Sequence, residues 1–214
     1  MIVEQIMAKN VRTLSPENTV EDAIDLLKKQ RIRHIPILTK EGFLAGIVSD
    51  RDIKDASPSI FQLKDHMEEL KRPLKDIMRK DVITGHPFDF AEEISSILTE
   101  HQISCLPILK HGKLVGIVTE SDLLHTFVKL TGANQPGSQI EVKVPNVSGM
   151  LSEVSSVFQK RKVNISSVLV YPDADKQSKI LVFRVQTMNP SGVISDLVNE
   201  GYTVLWPNVP GINT

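Results

Sequence analysis

Cysteine is almost missing from this chain: Cys105 is the only one in 214 residues. An intrachain disulfide is thereby excluded, and a reducing, cytoplasmic compartment is expected. No stretch approaches 18 consecutive apolar residues, which excludes a transmembrane helix. The opening residues, Met1-Ile2-Val3-Glu4-Gln5, lack a basic segment followed by an apolar one, so no secretory signal is expected. The formal net charge of −1 leaves no basic excess, which argues against a dedicated nucleic-acid binder while permitting local basic pockets. Signatures of catalysis are also wanting. There is no Gly-x-Ser-x-Gly and no P-loop. The six histidines show no His-x-x-x-His or Glu-x-x-His spacing, so no metal site and no cofactor are expected. Cys105 lies among apolar neighbours and reads as a small buried residue rather than a catalytic thiol. The composition, 41% apolar and 24% charged, is that of an ordinary globular chain of one or two domains and excludes disorder for its bulk.

An internal duplication is the dominant positive signal. Ile6 to Lys40 align with Ile77 to His111 at an offset of 71; after a one-residue gap at Glu41, Gly42 onward aligns with Gly112 onward at an offset of 70. Identities number 12 before the gap and 6 after it, or 18 in the 48 positions of Ile6 to Lys40 and Gly42 to Lys54. Each repeat reads as β-α-β-β-α. Val11 to Leu14 is an extended piece. Thr19 to Lys29 has helical spacing, with Thr19 as N-cap and Asp22 completing an acidic capping box. Ile35 to Leu38 and Phe43 to Val48 are strands around a Lys40-Glu41-Gly42 turn, and Ser49 opens a helix. The second copy runs from Val82 to Phe127. Near-continuous apolar strands such as Leu114 to Val118 suggest burial on both faces and pairing of the two repeats. Between them, Ser57-Pro58-Ser59 reads as a helix start and Ile60 to Arg72 as an amphipathic helix.

The chain changes character after a linker at 131–138. Gln139 to Val144 alternates as a strand, Leu151 to Arg161 is helical, Ile165 to Tyr171 and Lys179 to Gln186 are strands, Ser191 to Glu200 is helical, and Thr203 to Trp206 is the last strand. This β-α-β-β-α-β order is ferredoxin-like. A region of about 70 residues buries a marginal core by itself, which motivates a homodimer. Leu26, Leu27, Ile97 and Leu98 are candidate apolar positions for that contact.

Gly46-Ile47-Val48-Ser49-Asp50-Arg51-Asp52 and Gly116-Ile117-Val118-Thr119-Glu120-Ser121-Asp122 share the pattern Gly-apolar-apolar-Ser/Thr-x-x-Asp, preceded by Ile35-Pro36-Ile37 and Leu106-Pro107-Ile108. On these residues the duplicated half resembles a CBS domain pair. Val147-Ser148-Gly149-Met150-Leu151 and Val163-Asn164-Ile165 make the C-terminal region similar to an ACT domain. The resemblance implies an α+β chain: repeat one at 1–56, a helical connector at 57–73, repeat two at 74–130, the linker at 131–138, and a ferredoxin-like ACT domain at 139–208.

A hydroxyl at a helix start sits beside unpaired N–H groups that welcome phosphate. One turn later a carboxylate shares that face and suits the two hydroxyls of a ribose. Ser49 with Asp52, and Thr119 with Asp122, have this form, which is also the form of a helix cap. The resemblance implies an adenine nucleotide, AMP, ADP or ATP, as a regulatory ligand. It places adenine against Arg33-His34-Ile35-Pro36 or Cys105-Leu106-Pro107 and near Thr13 or Thr84. Arg31, Arg33, His34 and Arg51 make repeat one the more basic of the two, which favours phosphate there; Arg31 and Arg33 also read as solvated surface. Gly149 and Asn164 are candidates for an amino-acid ligand at the ACT domain or for a structural turn. The expected protein is a non-catalytic regulator that binds a nucleotide and acts on a protein partner. The alternative is an amino-acid sensor acting through the ACT domain, with the duplicated half as scaffold.

Overall fold

Thr19 begins the first helix as its sequence directs. Its Oγ1 accepts from Asp22 N at 3.2 Å, while Asp22 Oδ2 accepts from Thr19 N at 2.9 Å, closing the capping box. The structure, a computed structural model, describes residues 1–56 and 67–207 and divides at Leu124 and His125 into two compact units. In the first unit, α1 (Val20–Gln30) leads to the hairpin β1 (His34–Leu38) and β2 (Leu44–Ser49), then α2 (Asp50–Ala56). After the short α3 (Met67–Leu70), the order recurs as α4 (Ala91–Glu100), β3 (Cys105–Lys110), β4 (Lys113–Thr119) and α5 (Glu120–Thr131). The predicted start of the connector helix at Ser57 to Ser59, and Ile60 to His66, lie outside the described residues.

The first strand predicted in each repeat shrinks to one bridge. Leu14 pairs in parallel with Ile37, and Gly85 with Ile108. Each sheet is therefore a two-stranded antiparallel hairpin, Ile35 opposite Val48 in one and Leu106 opposite Val118 in the other.

The two repeats exchange their leading segments. Val3, Ile6 and Met7 join the core of repeat two with Ile94, Leu98, Leu106, Ile108 and Val118. Leu74, Ile77 and Met78 join the core of repeat one with Val20, Ala23, Leu27, Ile35, Ile37 and Val48. Backbone bonds follow the same crossing: Val3 N donates to Asp89 O and Leu74 N to Asn18 O. Ala8 makes a reciprocal pair of bonds with Ile117, and Arg79 with Ile47. Glycine is required where these segments cross the hairpins. A Cβ at Gly46 would lie 2.7 Å from Arg79 O and 2.8 Å from Met78 Sδ; one at Gly116 would lie 2.5 Å from Met7 Sδ and 3.2 Å from Ala8 O. The hairpin tips also meet, with Lys113 Nζ 3.8 Å above the Phe43 ring and bonded to Glu41 O.

Burial corrects the predicted dimer face. Leu27 and Leu98 are core residues of their own repeats, and Leu26 and Ile97 are half-buried against those cores. The helical period that marks an apolar face does not say whether its partner lies in the same chain.

The second unit takes up the end of α5 and continues as β5 (Ser138–Pro145), α6 (Met150–Lys160), β6 (Ile165–Pro172), β7 (Ser178–Val185), α7 (Ser191–Asn199) and β8 (Thr203–Trp206). The predicted linker thus narrows to 132–137. Its sheet is antiparallel, in the order β6-β7-β5-β8. Val154, Val157 and Phe158 of α6 and Val193, Ile194 and Leu197 of α7 bury against alternate residues of β5 and β7. Phe158 and Phe183 stack with centroids 4.6 Å apart. This is the ferredoxin-like layer of helices on a four-stranded sheet.

Candidate functional site

Both Ser/Thr-x-x-Asp motifs fold as helix-start boxes. Ser49 N and Ser49 Oγ donate to Asp52 Oδ2 at 2.8 and 2.6 Å, and Asp52 N returns to Ser49 Oγ at 3.2 Å. Thr119 and Asp122 repeat the pattern at 2.8, 2.6 and 3.4 Å. The capping reading of the motif is therefore correct at both places, and a capped carboxylate can still face a ligand.

The Ser49 box opens onto a cavity of about 510 Å³ within the first unit. Repeat one contributes Arg33, His34, Ser49, Arg51 and Asp52, and repeat two contributes Arg79, Val82, Ile83, Ser104 and Cys105. The two repeats touch across it where His34 Nε2 and Ser104 Oγ share a hydrogen bond of 2.9 Å. Of the nucleotide-site candidates, the structure brings Arg33, His34, Ser49, Arg51, Asp52 and Cys105 together at this cavity. Thr13, Ile35, Pro36, Thr84, Leu106, Pro107, Thr119 and Asp122 do not line it.

Ile35 and Leu106 are fully buried in the two repeat cores. Their side chains cannot face a ligand, because their places in alternating strands point them inward. The carbonyls of Pro36 and Pro107 accept from Leu14 N and Gly85 N. Thr13 and Thr84 are half-buried beside those same bridges.

The charge around the cavity is balanced rather than basic: Arg33, Arg51, Lys54 and Arg79 face Asp50, Asp52, Asp81 and Glu120. Arg79 was not among the sequence-based candidates. Its Nε donates to Asp52 Oδ1 at 3.2 Å. Burial works against ionisation of Asp52, but the two Ser49 bonds and the Arg79 charge outweigh it and hold the carboxyl below its usual range. Burial, with the Arg33 charge, lowers His34, so its ring is the neutral form at ordinary pH. Burial and the Glu120 charge push the Cys105 thiol up to about 12, which removes it as a nucleophile near neutrality. Among the described residues no group of His, Cys, Asp and Glu is placed to hold a metal ion, and no helix is long and apolar enough to cross a membrane.

A family model of the CBS domain matches residues 3–59 and 74–129, and one of the ACT domain matches residues 138–198. The chain belongs to the CBS domain family and carries an ACT domain after its CBS pair. A CBS domain-containing protein of Dictyostelium discoideum is 31% identical over 143 residues, 64% of this chain and 99% of its own length. Among solved structures, a Vibrio cholerae protein described as an acetoin utilization protein superposes with a TM-score of 0.55 at 31% identity, over 63% of this chain and 96% of that one. The CBS domain pair of protein MJ0100, solved with 5-methylthioadenosine and S-adenosyl-L-methionine, superposes at 0.52 with 27% identity, over 63% of this chain and 98% of that one.

In the ACT domain the two candidate residues do not share a described cavity. Gly149 caps α6 with φ of 91°, a conformation that favours glycine. Asn164 donates through its side-chain amide to Gln186 Oε1 at 3.0 Å and accepts from Gln186 N, tying the start of β6 to the end of β7. A separate cavity of about 500 Å³ lies beside Asn164, Phe158 and Lys162.

Proposed function

We propose that the chain is a non-catalytic regulator whose CBS pair binds an adenine nucleotide in the cleft at Ser49 and Asp52, and that it acts as a homodimer on a protein partner. The observation that carries this reading is the Asp52 carboxylate, kept ionised at the edge of a cavity of about 510 Å³ between the two repeats. An ionised carboxylate accepts strongly from the paired hydroxyls of a ribose. The adenosine-bearing ligands of the MJ0100 pair support the ligand class. The cleft's matched charges and neutral His34 suit a ligand with a flat neutral base and a charged tail.

Calorimetric titration with AMP, ADP, ATP, adenosine, 5-methylthioadenosine and S-adenosyl-L-methionine tests the reading. At least one adenine ligand is expected to bind at micromolar concentration. Absence of heat and of any thermal shift with all six would overturn it, since a ligand of the native state raises apparent stability by mass action. Parallel runs with amino acids test the ACT domain; Asn164 already has a structural task there, which favours the CBS cleft as the sensing site. The same sample should sediment at about twice 23.8 kDa, and a monomer at micromolar concentration would refute the dimer.

The Vibrio cholerae neighbour supports a place in acetoin or butanediol catabolism. A deletion strain that grows normally on acetoin would remove that assignment.

A further inference from the structure

The Asp52 carboxylate carries an ion pair to Arg79, Nε to Oδ1 at 3.2 Å. Arg79 aligns with Ala8 in the duplication, and both positions make the same reciprocal backbone bridge to the other repeat, with Ile47 and with Ile117. The side chain alone differs, and at the Asp52 box it is a guanidinium reaching into the cleft.

The hydrogen-bond accounting at Asp52 is nearly closed. Oδ2 already receives two bonds from Ser49, and Oδ1 receives Arg79 Nε. A carboxylate oxygen offers roughly two lone-pair sites. A ribose that donates two hydroxyl hydrogens to this carboxylate must therefore take the place of Arg79 at Oδ1. Asp52 is fixed, with 14% of its side chain exposed against 64% for Arg79, so the guanidinium is the group that moves. Its backbone stays pinned to Ile47, so the displaced side chain remains at the cleft. No described residue accepts from its two Nη groups.

Resting on the nucleotide reading of the cleft, we infer that Arg79 sets the ligand's specificity by trading Asp52 for the ligand's phosphate. A phosphorylated nucleoside supplies both replacements: its hydroxyls satisfy Asp52, and its phosphate oxygens take the Arg79 fork in a charge-assisted, bidentate contact. A neutral nucleoside displaces Arg79 and offers it nothing. The site thus rejects dephosphorylated ligands by a competing internal contact as well as by weaker attraction, which is specificity by opposition.

The test is the affinity of wild type, Arg79→Ala and Arg79→Lys for AMP and for adenosine. In Arg79→Ala, AMP should weaken by about tenfold or more, the loss of one charge-assisted contact, while adenosine should hold or tighten. Arg79→Lys keeps the charge without the fork and should retain part of the preference. Added salt should erode AMP binding in wild type more than in Arg79→Ala. Equal weakening of both ligands, or an unchanged preference for AMP, overturns the role of Arg79 while leaving the cleft as a nucleotide site. No binding of either ligand by wild type overturns this inference, while the cleft reading falls only if none of the six adenine ligands binds. Arg79 is an exposed side chain, so unaltered thermal melts are expected and separate these outcomes from misfolding.

Discussion

Asp52→Ala is expected to lower nucleotide affinity by about tenfold to more than a hundredfold, the range that loss of a hydrogen bond to a charged group, about 1.5–3 kcal/mol, produces. Asp122→Ala is expected to cost less. Both variants lose the same helix-start box, because the Ser49–Asp52 and Thr119–Asp122 geometries agree within 0.2 Å, 3.2 against 3.4 Å at their widest difference. Each should therefore lose a similar stability, about 0.5–2 kcal/mol, and thermal melts of the pair calibrate that shared effect. Affinity should separate them, since Asp52 lines the described cavity with Arg33, His34 and Arg51. Calorimetry on both variants decides. Unchanged affinity in the two would leave the motifs as caps and nothing more. A larger loss from Asp122→Ala would keep a nucleotide site and move it to the other box.

The second large effect is on folding. Gly46→Ala should destabilise the protein by about 1–3 kcal/mol, the usual range for forcing an atom into a packed site. The added Cβ would meet backbone, Arg79 O at 2.7 Å, which cannot rotate away. Gly116→Ala should cost less: its nearest obstacle is Met7 Sδ at 2.5 Å, the end of a flexible side chain, and the carbonyl of Ala8 is farther, at 3.2 Å. Chemical denaturation of the two variants tests the order. If Gly116→Ala proves the more damaging, the backbone of the crossing segment is not the constraint.

Much of this was legible in the sequence because it is local or repeated. The Thr19–Asp22 box, the hairpin turns and the alternation in Gln139 to Val144 each act within a few residues, and the folded elements follow them closely. The duplication made the twin Ser/Thr-x-x-Asp boxes visible together. What stayed hidden depends on where chain segments go. The apolar pattern of Ile6-Met7 and Ile77-Met78 is the same whichever repeat they pack against, so the crossing of the leading segments left no periodic trace. Ile35 and Leu106 looked like ligand-facing residues and are core, because a strand's sequence does not say which face meets the cleft. Arg79 did leave a signal, an arginine aligned with an alanine inside an otherwise conservative stretch. It lies 27 residues from Asp52, beyond the reach of any helix or hairpin spacing.

The crossed leading segments also bear on how small this module can become. Val3 and Leu74 are each fully buried in a core assembled mostly from the other half. A polypeptide carrying one repeat would expose an open notch where the foreign segment belongs and would have an apolar leader with nowhere to go. Two such half-molecules, trading leaders, would rebuild the same arrangement as a domain-swapped pair. The present chain has the form of that pair after fusion: one covalent strand that holds both partners at fixed stoichiometry and lets their leading segments differ in sequence, with Arg79 in one where Ala8 stands in the other.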